Sequence, residues 1–185
     1  MNHITFRWLL LPVCIAAAAM ALAADSNLVL AKSSVIATFR QESVPVDASF
    51  KKFNGKIVYD AARPAAASAT VTVDMTSLDM GDPGNNAEVR KPAWFDSARY
   101  PLGTFCSTAI KPGIAGHFAA TGTLTIKGRV QTITVAIAVQ RVGSANAFDG
   151  SFDLSRKIFA IGDPSWDDVL DDKVRVRFHL VTGGT

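Results

Sequence analysis

Residues 121–140 read TGTLTIKGRVQTITVAIAVQ. Their second half alternates without a slip: Ile133, Val135, Ile137 and Val139 fall on one side, threonines and alanines on the other. A period of two marks a half-buried antiparallel strand. Just before it, TIKGRVQTI sets Gly128 between two β-type runs, where glycine supplies the positive φ of a tight hairpin turn. A hairpin of this quality makes the chain a β-protein.

The same pattern recurs on either side. KVRVRFHLV (173–181) puts Val174, Val176, Phe178 and Leu180 on one face and Arg175, Arg177 and His179 on the other. ATVTVDM (69–75) opposes Val71, Val73 and Met75 to Thr70, Thr72 and Asp74. Further strands are expected at 34–42, 46–60, 102–111, 116–127 and 146–156, parted by turn signals such as FNGK, KPGIAG and AFDGS. The Ala-rich DAARPAAASAT reads as a turn around Pro64. About eight strands at regular spacing suggest a barrel or a sandwich. Helix is scarce: one short piece is expected between the third and fourth strands, with Pro83 as its start and Pro92 as its stop. A second irregular segment, IGDPSWDDVLDD, precedes the last strand.

Residues 1–24 have a short start with one arginine, an apolar run and small residues before polar Asp25-Ser26-Asn27. This is the form of a cleaved secretory signal peptide, cut after Ala23 or Ala24. Read as a membrane span, the run from Trp8 is short and broken by Pro12. Cys14 lies within it and is not read as a lipid-attachment site. Residues 25–185 would form one domain of about 160 residues, enough for a core of its own. Loss of Arg7 lowers the formal charge from +3 to +2, and no basic run appears, which argues against nucleic acid. Cys106, the one cysteine left, cannot form an internal disulfide and is expected to pack as a small apolar group.

Catalytic constellations are absent from the expected strands. His117 and His179 have no partner at metal-ligand spacing, and His179 is expected to face water. Asp163, Asp167, Asp168, Asp171 and Asp172 share one loop, but their spacing is not that of a calcium loop. Solvated and helix-capping acids are the simpler reading. No G-x-S-x-G occurs. EVRKPAWFDSARYPLGTFCS (88–107), by contrast, crowds Trp94, Phe95, Tyr100 and Phe105 into a connection. These aromatics either plug one end of a barrel or form a lid over a cavity, since a closed barrel of about eight strands can hold one small ligand. Arg90, Lys91 and Arg99 flank them, either as ordinary solvated charge or as a head-group site for a phosphate.

In order along the chain, FKKFNGKIVYD, VDMTSLDMG, EVRKPAWFDSARYP, FCSTAI, TGTLTIKGRVQTITV, RKIFAIG and KVRVRFHLV resemble the YceI-like family, over about Val35 to Val181. The resemblance implies an eight-stranded antiparallel lipocalin-like barrel, a secreted or periplasmic location, and an apolar cavity that takes a polyisoprenoid without catalysis. Carried over by residue, it implies Phe50, Phe53, Leu78, Met80, Trp94, Phe95, Phe105, Leu124 and Ile126 as ligand contacts. With Val71, Val73, Met75, Phe152, Phe159, Ile161 and Trp166 they complete the expected wall. The sequence departs from the family's His-Ser, Arg-Asp and FGI with Ser33-Ser34, Asn85-Asn86 and Ala160, so the head group bound here is expected to differ.

The expected partner is a long-chain isoprenoid, quinone or fatty amphiphile, and no other cofactor or metal. No membrane span is expected to remain after cleavage, and a homodimer is left open. The competing readings are a stress-response scavenger of toxic hydrophobic compounds and an enzyme with an isoprenoid substrate; the latter requires a buried, shifted carboxylate or histidine inside the barrel.

Overall fold

The computed structural model describes residues 27–114 and 116–183. The expected signal peptide, residues 1–24, lies outside the described residues. Ten strands form one antiparallel sheet: β1 (Ser34–Gln41), β2 (Val44–Phe50), β3 (Phe53–Val58), β4 (Ser68–Asp74), β5 (Leu78–Asp79), β6 (Leu102–Pro112), β7 (His117–Ile126), β8 (Arg129–Val142), β9 (Ala145–Ser155) and β10 (Lys173–Thr182). Their spatial order is β3-β4-β6-β7-β8-β9-β10-β1-β2-β5. The eight expected runs are all present. The count rises because 46–60 breaks at Lys51-Lys52 into β2 and β3, and because two residues after β4 pair with β2 as β5.

That break curls the sheet into a barrel. β2 pairs with β1 at one end of the strand order, while β3 pairs with β4 at the other. The chain therefore passes directly from one end of the sheet to the other. The remaining seam, between β3 and the end of β10, is filled by residues 27–29. The Asn27 and Val29 backbone N–H groups donate to the Gly55 and Val181 carbonyls at 3.1 and 2.7 Å. The Asn27 side chain acts as an extra rung, donating to the Ile57 carbonyl at 2.7 Å and accepting from the Ile57 N–H at 2.9 Å. Backbone groups that would otherwise form an open edge are thereby satisfied.

The hairpin is as the sequence reads. Ile126 pairs with Arg129, and the two turn residues Lys127 and Gly128 have φ of +48° and +71°. Positive φ at both positions is the turn whose twist matches the flanking strands. Among the described residues the one α-helix, α1 (Pro83–Glu88), starts as expected: Asp82 caps it by accepting from the Asn85 N–H at 2.7 Å, and Pro83 takes its first position. It ends one turn before Pro92, and the chain continues in tight turns to Tyr100. Among the described residues no helix is long and apolar enough to cross a membrane.

The outer face of β10 carries its charges in pairs. Arg175 makes two hydrogen bonds to Asp153, Arg177 reaches Asp47 at 2.9 Å, and His179 lies 2.6 Å from Asp149. The inner face carries Val174, Val176, Phe178 and Leu180. The barrel wall is thus polar outside and apolar inside, as the alternation predicts.

Candidate functional site: an apolar barrel cavity

Inside the barrel lies a cavity of about 530 Å³. It reaches from Trp94 and Trp166 at one end to Tyr59 and Phe118 at the other. A barrel of this size is often filled by its own side chains. Two glycines help to keep it hollow. Gly150 lies opposite Phe178, and a Cβ at Gly150 would stand 2.4 Å from the Phe178 ring and 2.9 Å from the Ala136 carbonyl oxygen. A Cβ at Gly122 would stand 2.7 Å from the Phe105 ring. Each ring takes the space that a side chain on the glycine would need, so the wall is covered there with one side chain in place of two.

Of the sixteen residues expected in the wall, fourteen line this cavity: Phe50, Val71, Val73, Met75, Leu78, Met80, Trp94, Phe95, Phe105, Leu124, Ile126, Phe152, Ile161 and Trp166. The other two are core residues. Phe53 packs with Val35, Ile57, Phe148 and Leu180. Phe159, 1% exposed, is enclosed by Met75, Leu124, Ile126 and Ile161. Both are apolar and buried as the sequence indicates, but other side chains stand between them and the bore. Cys106 does not line the cavity either; it sits half-buried on β6 beside Phe105.

The lid end is built from two connections, 75–101 and 156–172. The Trp94 and Trp166 rings lie 6.0 Å apart, and the Gly162 N–H donates to the Ala93 carbonyl. Trp94 Nε1 donates to Glu88 Oε1 at 3.3 Å. Tyr100 covers the hairpin turn, leaving no room for a side chain at Gly128. Lys127 Nζ joins both connections to the hairpin by donating to the Pro92 and Ala160 carbonyls. Partial burial pushes its pKa down, with Arg129 adding to the effect and Asp96 opposing it. The aromatic stretch packs this end of the barrel, and Trp94 and Phe95 face the bore.

Arg90, Lys91 and Arg99 do not converge on the cavity, and none lines it. Lys91 is held by Glu88 at 2.5 Å, and Arg99 lies 3.6 Å from Asp96 and over the Tyr100 ring. Arg90 borders a shallow cleft with Lys51, Lys52 and Asp79. The short helix and the turns after it point these cations in three directions, which spacing along the sequence does not reveal.

The cation that does line the cavity is Arg156, 4% exposed. Its guanidinium donates to the carbonyls of Ile161, Leu170 and Asp171 and to Asp167 Oδ1 at 2.6 Å. It pins the 156–172 connection across the lid end. Asp167 is held below the usual carboxylate range by hydrogen bonds first from Lys157 and then from Arg156. Two other acids of this loop hold local structure: Asp163 caps a short turn through the Ser165 N–H, and Asp172 accepts from Ser155 Oγ and the Lys157 N–H. Among the described residues no group of three His, Cys, Asp or Glu is placed to hold a metal ion.

Polar wall groups collect at the lid end, where Gln41, Asn85, Glu88, Arg156 and Asp171 border the bore. Glu88 is held low by Lys91, with a smaller share from Trp94. Of the residues at the family's departures, Asn85 lines the cavity. Asn86 braces the lid instead, accepting from the Met80 N–H and donating to Asp79. Ser33 accepts from the Val181 N–H. Ala160 keeps the left-handed backbone, φ +51°, that a glycine would adopt without strain.

Comparison with known proteins places this architecture. The model of the YceI-like domain matches residues 27–182. BcnA from Burkholderia cenocepacia is 40% identical over 84% of this chain and 99% of its own, with a TM-score of 0.82. Protein YceI of Escherichia coli O157:H7 is 32% identical over 87 residues, 47% of this chain and 45% of that relative. The chain thus spans about half the length of such curated relatives in its matched segment. A polyisoprenoid binding domain from Saccharophagus degradans, implicated in plant cell wall breakdown, shares the fold at 16% identity and a TM-score of 0.69.

Proposed function

This chain belongs to the YceI-like family, and on that premise we propose that it is a carrier that holds a polyisoprenoid or similar long-chain amphiphile inside its barrel. The observation that carries the reading is the apolar cavity of about 530 Å³ running from the lid end to Tyr59. Its volume lies in the range typical of small-molecule sites, and its wall is mostly apolar, with its charged and amide groups gathered at the lid end. Burial contributes about 0.8 kcal/mol per methylene withdrawn from water, so a long chain binds without a strong polar contact. The lid-end groups would then select the head group. We read the protein as a binding protein and not an enzyme. In support, the charged groups that line the lid end are engaged by protein partners: Glu88 by Lys91 and Trp94, Arg156 by Asp167 and backbone carbonyls, and Asp171 by Arg40.

Titration with a long-chain polyprenol, followed through tryptophan fluorescence, tests the reading. Wild type is expected to show saturable binding. Trp94→Ala is expected to release bound lipid at least tenfold faster, because the ring closing the lid end against Trp166 is gone. Absence of any saturable signal in wild type would refute the carrier reading, and unchanged release from Trp94→Ala would refute the lid.

A periplasmic location is part of the proposal and rests on residues 1–24. Protein recovered from the cell envelope is expected to have a mass lacking these residues; a full-length mass in the cytoplasm would contradict export.

A further inference from the structure

We propose that Tyr59 is the stop that limits the length of chain the barrel accepts. This deepens the carrier reading and rests on it. The cavity is asymmetric: its charged and amide-bearing groups lie at the lid end, so a cargo's head group belongs there and its tail points to the far end. Tyr59 stands at that far end, directly after β3.

Its ring meets two others nearly edge-on: Phe118 at 5.8 Å and 84°, and Phe148 at 5.6 Å and 88°. Phe118 belongs to β7 and Phe148 to β9, neither of which neighbours β3 in the sheet. Tyr59 therefore reaches across the bore to the opposite wall, and edge-to-face rings hold this position well. Phe118 and Phe148 are buried in that wall, whereas Tyr59 is only half-buried and fronts the exposed connection 60–67. That connection consists of small residues around Asp60, Arg63 and Pro64, and its last residue, Ala67, lines the cavity. Beyond the Tyr59 ring, the one long side chain of that connection, Arg63, lies out in solvent paired with Asp60 and does not line the cavity, and the rest are Asp60, alanines and Pro64. Strands of about ten residues, tilted as in barrels of this kind, span about 25 Å along the axis. The distance from lid to Tyr59 is therefore a fixed depth, and a tail that outruns it must fold back or leave its head group outside.

The test is a series of all-trans prenols from geranylgeraniol to decaprenol, titrated against wild type, Tyr59→Ala and Tyr59→Phe. For wild type, affinity should rise with each added isoprene unit up to a limiting length and then fall. Tyr59→Ala should move that limit to longer prenols by at least one unit, with at least a tenfold gain for the first prenol beyond it. Binding of shorter chains should change by less than threefold. Tyr59→Phe, which keeps the ring, should keep the wild-type limit. If Tyr59→Ala does not fold, Tyr59→Leu, which keeps an apolar contact with both phenylalanines but removes the ring, takes its place. A wild-type affinity that keeps rising to decaprenol, or an unchanged limit in the Ala or Leu variant, would overturn the stop. If no prenol binds wild type at all, it is the carrier reading that fails.

Discussion

Val176→Trp is expected to reduce cargo binding at least a hundredfold while leaving the melting temperature within a few degrees of wild type. Val176 lies on the inner face of β10, between Val174 and Phe178, with Ala37 and Phe152 as its cross-strand neighbours. A tryptophan there points into a cavity of about 530 Å³ that its added volume can enter. Overpacking costs stability only where the space is already filled; in a void, added apolar volume is neutral or stabilising. The same volume is lost to the cargo. Arg177→Ala, one residue away on the outer face, removes the contact with Asp47 and should leave binding unchanged. Surface ion pairs of this kind contribute little. Parallel binding titrations and thermal melts of the two variants separate an inner-face effect from a general one.

Arg156→Leu is expected to destabilise the protein by about 3–5 kcal/mol, because it leaves three carbonyls and a carboxylate without their buried donor. For a domain of this size that is a fall of about 10 °C in melting temperature. Arg156→Lys should rescue little, since an ammonium cannot reproduce the planar fork that spans these acceptors. The pH dependence of the same clasp has a definite sign. Asp167 has a lowered pKa in the folded state, so its contribution is fully present above the unfolded value and is lost as the pH falls through the folded one. Wild type should therefore show no loosening of the 156–172 connection between about pH 5 and 8, and loosening only below about pH 4. Thermal melts across that range check both statements. A melting temperature that drops near neutral pH would contradict this account of the clasp.

Much of the barrel was legible because inner and outer faces differ chemically. Strict alternation in 132–140 and 173–181 identified the strands and told which side faces the bore. The hairpin turn was legible from Gly128, since few other residues tolerate its backbone. The break of 46–60 was not: Lys51-Lys52 reads as two polar residues within a strand, and only the pairing of β2 with β1 and of β3 with β4 shows the chain passing between opposite ends of the sheet. Phe53 and Phe159 read as cavity wall in the sequence because burial and cavity lining both demand apolar residues. The difference between them lies in which neighbours stand in front.

The placement of the cations is hidden from the sequence for a related reason. Arg90, Lys91 and Arg99 are close in sequence but diverge in space, whereas Arg156 is buried by a connection that returns fifteen residues later at Asp171. In RKIFAIG, Arg156 and Lys157 look alike; the fold buries the first and leaves the second exposed. A positive residue opening that motif, ahead of apolar Ile158, Phe159 and Ile161, was the available signal.

The most direct test of the account is to purify wild type and Val176→Trp from the same envelope fraction, record their native mass spectra, and extract both with organic solvent for lipid analysis. The account predicts one long-chain isoprenoid or related amphiphile per wild-type barrel and none in Val176→Trp. A wild-type protein that carries no lipid and binds none when it is supplied, or a Val176→Trp protein that carries as much as wild type, would contradict it.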